Sequence, residues 1–148
     1  MSATDKTPDS KIDRRAFVCG VAAIAALGMT RQSAVAANGI KTVNGKTQID
    51  LAVNAALKKV GGVVQLSIAK YGKVAVVRTS KATNGFSVIN LACPHAGVNV
   101  KPSNGGWVCA TPGHGSEFAL NGALKVGPAN SALRKIKFTA TTKAVTIA

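Results

Sequence analysis

An all-β domain is what this sequence predicts, on three observations. From Ile49 onward the apolar residues gather in short runs rich in Val, Ile and Thr, the residue types that fit a pleated, half-buried surface. Between the runs stand turn signals built on Gly and Asn. The 148 residues are 47% hydrophobic and only 16% charged, which suits a folded domain with a modest core and excludes a disordered chain.

The runs, in order, are VVQLSI at 63–68, VAVV at 74–77, FSVINL at 86–91, WVC at 107–109, residues 133–139 and AVTI at 144–147. Their breaks contain Gly61-Gly62, Tyr71-Gly72-Lys73, Thr83-Asn84-Gly85, Ser103-Asn104-Gly105-Gly106 and Asn121-Gly122, which read as hairpins and loops. One stretch carries helical spacing: LAVNAALKKV at 51–60, ended by Gly61-Gly62, reads equally as a short helix or as a strand and turn. No internal repeat and no low-complexity segment interrupts the pattern.

The first 36 residues differ in kind. A polar lead ends in Asp13-Arg14-Arg15-Ala16-Phe17-Val18, an apolar run follows over residues 16–29, and Ala34-Val35-Ala36 offers a small-x-small cleavage site. Such an order predicts an export signal, and the Arg pair before Phe17 is similar to a twin-arginine signal. The apolar run is shorter than the ~20 residues that cross a bilayer and holds Gly20 and Gly28, so a cleaved signal is expected over a membrane span. Retention as an uncleaved anchor, or peripheral membrane association, is the alternative. Cys19 falls inside this run and is read as leaving with it.

Beyond residue 36 fourteen Lys and Arg stand against two acids, Asp50 and Glu117, a net charge of +12. Scattered lysines of this kind serve solubility or steer the chain towards an acidic partner or an anionic surface. Nucleic acid is excluded as the expected partner, because the chain carries an export signal and few aromatic side chains on which bases could stack. With two acids and no Ser–His–acid set, hydrolytic chemistry by paired carboxylates or a triad is excluded as well.

Chemistry concentrates in residues 91–118, LACPHAGVNVKPSNGGWVCATPGHGSEF, which hold both histidines and both cysteines outside the leading segment. Cys93 and His95 form Cys-x-His; after thirteen intervening residues Cys109 and His114 form Cys-x4-His, each pair in a Gly/Pro loop after a strand-like run. One thiolate and one imidazole per loop make a four-ligand set, two for each iron of a [2Fe–2S] cluster. Two other arrangements stay open: a Cys93–Cys109 disulfide, usual for a cysteine pair in an exported protein, and a single zinc or copper ion in the same ligands.

The paired loops resemble those of the Rieske [2Fe–2S] family, Cys-x-His-x-Gly and Cys-x-x-His-Gly-Ser. The similarity extends upstream through Leu57-Lys58-Lys59-Val60-Gly61-Gly62 and Val76-Val77-Arg78, and downstream through Phe118-Ala119-Leu120-Asn121-Gly122-Ala123 and Gly127-Pro128-Ala129. The resemblance implies a Rieske-type antiparallel β-sandwich or barrel over residues 37–148, with strands from about 45–90 and 130–148 as its base and a small cluster-binding subdomain at about 91–128. It implies Cys93, His95, Cys109 and His114 as iron ligands and Ser116 as a hydrogen-bond donor to the cluster. The function that follows is one-electron transfer in the periplasm, as a small carrier or as a subunit of a larger oxidoreductase. An acidic cytochrome or copper protein is the expected partner.

Three departures accompany the resemblance. Val98 and Gly113 occupy the places where many members carry a disulfide cysteine. The second loop is two residues longer than the family form, so the usual spacing back from His114 reaches Thr111; Cys109 is expected to ligate through an enlarged loop, the alternative being a lost thiolate. Phe118 stands where members commonly place a Tyr that donates to a cysteine sulfur. Loss of that donor lowers the expected potential within the Rieske range of about −150 to +300 mV.

Overall fold

Asn44 and Gly45 both have positive φ, 49° and 74°, the backbone of a type I′ hairpin turn that Asn and Gly adopt at little cost. They open the computed structural model, which describes residues 39–148, by joining β1 (Ile40–Val43) to β2 (Lys46–Asp50). The signal-like segment 1–36 lies outside the described residues. Strands start nine residues earlier than Ile49, and the Asn-Gly pair is the signal that marks them.

After β2 the 51–60 stretch forms neither a full helix nor a strand. It makes one 3-10 turn, Ala55–Lys58. Leu57 alone is buried there, whereas Val53 and Val60 are 57% and 54% exposed, so the helically spaced apolar residues share no core to bury against. Gly62 then packs so closely on the turn that a Cβ would sit 1.7 Å from the Ala56 carbonyl oxygen.

β3 (Val63–Ile68), β4 (Gly72–Arg78) and β5 (Phe86–Asn90) form an antiparallel sheet with β4 in the centre. The unalternating runs VAVV and FSVI are buried throughout, as in a strand covered on both faces. Val74, Val76, Phe86 and Val88 join one core with Ile49, Leu57, Ile136, Val145 and Ile147. Ala75, Val77 and Ile89 join another with Leu91, Trp107, Phe118 and Leu133. The first core is closed by the sheet β1-β2-β11-β10, which adds β10 (Phe138–Ala140) and β11 (Ala144–Ile147). The second is closed by a meander of short strands within residues 91–128: β6 (Lys101–Ser103), β7 (Gly106–Val108), β8 (Glu117–Ala119) and β9 (Leu124–Val126).

The single strand expected at 133–139 divides between layers. Its first half lies along β5, through Asn90 N–H to Arg134 O and Ile136 N–H to Val88 O, both 2.8 Å, and its second half enters β10. Leu133 and Ile136 thereby fall in different cores. The all-β expectation holds, with every named pairing antiparallel. Among the described residues no helix is long and apolar enough to cross a membrane.

Candidate metal centre

The first loop leaves β5 at Asn90. The Asn90 side chain accepts the Ala92 N–H at 2.7 Å and donates to the Tyr71 carbonyl at 2.5 Å, so it aims the chain into the loop. Sequence reasoning did not single out Asn90; an Asn at a strand end is the signal, since its side chain caps turns of its own backbone. Residues 93–98 then close on themselves, with Cys93 N–H to Val98 O at 2.8 Å and Gly97 N–H to Cys93 O at 2.7 Å. Gly97 has φ 70°, which the turn requires. As a result Cys93 points inward, 1% exposed, while His95 two residues on is exposed.

The second loop leaves β7 after Val108 and is closed by Cys109 N–H to Ser116 O, 2.8 Å. Inside it Thr111-Pro112-Gly113-His114 is a type II turn: His114 N–H reaches Thr111 O at 3.0 Å, and Gly113 has φ 78°. Pro at the second place and Gly at the third are the residues that turn demands. Pro112 and Gly113, at the centre of the turn, are exposed. Cys109 remains buried, 1% exposed, and His114 is half-buried.

The two loops meet at their histidines. His95 Nδ1 and His114 Nδ1 lie 3.1 Å apart, with ring centroids 4.8 Å apart and planes at 65°. Two ring nitrogens converging at that distance share a proton or, with both lone pairs free, bind one metal ion. Behind them Cys93 and Cys109 are free thiols in the same apolar core as Trp107 and Phe118, so the disulfide arrangement is not formed. Among the described residues no group of three or more His, Cys, Asp or Glu side chains surrounds a single point, as a lone zinc or copper ion would need. Converging histidine nitrogens, exposed or half-buried, with two buried sulfurs are a donor set that fits a two-iron cluster, whose irons would take one pair each.

Ser116 is fully buried, and its hydroxyl oxygen accepts the Ala129 N–H at 2.8 Å. That bond ties the Gly127-Pro128-Ala129 loop to the second ligand loop and leaves the hydroxyl proton to donate elsewhere; the His114 carbonyl, at 3.5 Å, is a weak taker. Trp107 donates from Nε1 to the Leu120 carbonyl at 3.0 Å, the partner a buried indole requires, which marks it as core. All five candidate residues therefore lie on the two loops or their closing bond.

The sequence profile of the Rieske [2Fe–2S] domain matches residues 51–137, more than half of the chain. The solved plasma membrane Rieske protein PetC3 of the cyanobacterium Synechocystis PCC 6803 is 31% identical over 64% of this chain and 94% of its own, with a TM-score of 0.51. A ferredoxin of carbazole 1,9a-dioxygenase from Nocardioides aromaticivorans IC177 is 20% identical over 61% of this chain and 86% of its own, with a TM-score of 0.44. Naphthalene 1,2-dioxygenase is 18% identical over 57% of this chain and 22% of its own, at 0.46. Among curated protein sequences, none matches.

Proposed function

The chain belongs to the Rieske [2Fe–2S] domain family, whose members bind a [2Fe–2S] cluster, and from that premise we propose that it is a one-electron carrier of the periplasm. When bound, the cluster supplies a reversible one-electron couple. The chain's own residues do the rest. Cys93 and Cys109, buried among apolar side chains, would hold one iron away from water; His95 and His114, at the loop tips, would hold the other where a partner can approach. Ser116 supplies the hydroxyl proton that its bond to Ala129 leaves free. The observation that carries this reading is the convergence of the two Nδ1 atoms in front of two unbonded, buried thiols.

Residues 1–36 support export through the twin-arginine route, which carries folded, cofactor-loaded proteins. The +12 charge beyond residue 36 supports an acidic cytochrome or copper protein, or an acidic face of a larger oxidoreductase, as the partner. Full-length protein made in a host competent for twin-arginine export is expected to be red-brown, in the periplasmic fraction, with the low average g value of a nitrogen-ligated iron–sulfur cluster in EPR. Colourless periplasmic protein with the two thiols bridged would replace this reading with a clusterless binding module.

Phe118 offers a graded check. It is 1% exposed in the core that holds both thiols, and its ring has no hydrogen to donate to sulfur. Phe118→Tyr adds one donor, and a hydrogen bond about 1 kcal/mol stronger to the reduced than to the oxidised cluster raises a one-electron potential by about 40 mV. Redox titration of the two proteins side by side measures it; an unchanged or lowered potential would overturn the assignment.

A further inference from the structure

A cavity lies at the other end of the central sheet from the first ligand loop. About 540 Å³ in volume, it opens where the end of β2, the 3-10 turn, the end of β4 and the β10–β11 turn come together. Asp50, Leu57, Lys58, Arg78, Thr142 and Lys143 line it, three cations against one carboxylate. The acid is engaged, since Asp50 Oδ1 accepts the Ala52 N–H at 2.8 Å. The cations are differently placed: Lys58 and Lys143 are exposed, whereas Arg78 is half-buried.

Arg78 stacks its guanidinium on Phe86, 4.3 Å above the ring centre, and donates from Nη2 to the Lys81 carbonyl at 3.1 Å. Its Nε–H is buried and meets no acceptor among the described residues. Arg78 also lines the cavity, and a guanidinium held in one plane by an aromatic face suits recognition of an oxyanion. The cavity exceeds the volume of a single phosphate, so the ester substituent of a larger ligand has room. We infer that this cavity binds the phosphate group of a small anionic ligand, either free or as the headgroup of an anionic phospholipid.

The placement has a functional consequence. The Lys73 carbonyl, near the start of β4, accepts the Leu91 N–H just ahead of the first ligand loop. Arg78 ends the same strand, five residues on and about 16 Å away. An anion bound at Arg78 sits at the base of the fold, and a surface carrying that anion would hold the paired loops outward.

The test uses the full chain with its cluster. Inorganic phosphate is titrated calorimetrically into the wild type, Arg78→Gln, the double variant Lys58→Gln/Lys143→Gln, and a charge-matched control, Lys101→Gln/Lys125→Gln, whose lysines lie on the meander. Saturable binding by the wild type is expected, at least about tenfold weaker in both cavity variants and unchanged in the control, because each variant removes at least one charge-assisted bond to the phosphate. Flotation with phosphatidylglycerol and phosphatidylcholine vesicles separates the sources. Binding to phosphatidylglycerol that phosphate displaces, and that the cavity variants lose, assigns the headgroup; vesicle binding indifferent to the cavity variants assigns free phosphate. No saturable phosphate binding by the wild type, or equal weakening in the control, overturns the site. If Arg78→Gln fails to fold, the exposed double-lysine variant decides alone.

Discussion

Replacing Cys109 with Ser is expected to give colourless protein with cluster occupancy near zero, while Thr111→Ala keeps the full colour and EPR signal of the wild type. The usual spacing before His114 falls on Thr111, but the fold gives the two residues different tasks. Cys109 is a free thiol, 1% exposed, in the core with Cys93, Trp107 and Phe118. Thr111 is half-buried at the first place of the type II turn, where its carbonyl receives His114 N–H. Iron in such clusters takes thiolate sulfur, and a threonine hydroxyl does not replace it. Iron and sulfide analysis beside EPR decides the matter: pigmented Cys109→Ser together with colourless Thr111→Ala would assign the fourth ligand to the loop's turn.

The second large effect is structural. Gly106→Ala is expected to cost about 3 kcal/mol, the upper end for forcing extra volume into a packed interior, and to lower Tm by about 12 °C. A Cβ at Gly106 would stand 2.2 Å from the Phe118 carbonyl oxygen on the paired strand β8. Because that obstacle is backbone, no rotamer change relieves it, and β7 must separate from β8 just before Trp107 and Cys109. Gly105→Ala, one residue earlier, is the control. Gly105 has φ 70° and open space around its Cβ position, so only conformational strain of about 1 kcal/mol is expected there. Thermal melts of the two variants separate close approach from backbone freedom; equal shifts in Tm would show that the strand contact does not govern stability here.

Much of the fold was legible along the chain, and the exceptions have physical causes. The runs at 63–68, 74–77 and 144–147 became strands because β-branched residues sat between turn signals strong enough to bound them. β6, β8 and β9 have three residues each, too short for any period to declare itself. The 133–139 run looked continuous because both halves are extended; no local pattern states that its halves serve different sheets. At 51–60 helical spacing was present, yet the spacing means nothing without a core for Val53 and Val60 to reach.

At the metal centre the donor types were legible by composition alone, since only two histidines and two cysteines follow residue 36. So was a tight turn in the enlarged loop, because Pro112-Gly113 favours one, while its type II form is set by the folded loop. What the local sequence could not state is that His95 and His114, nineteen positions apart, bring their Nδ1 atoms to 3.1 Å. That meeting depends on β5 and β7 delivering their loops over one shared core, and on Ser116 anchoring the Gly127-Pro128-Ala129 loop through Ala129. Donor identity, turn signals and β-branched runs are properties of neighbouring residues, so the amino-acid order determined them by itself. Which loops face each other is set by burial of side chains distant in sequence, Leu91 with Trp107 and Phe118, and only the tertiary structure could decide it.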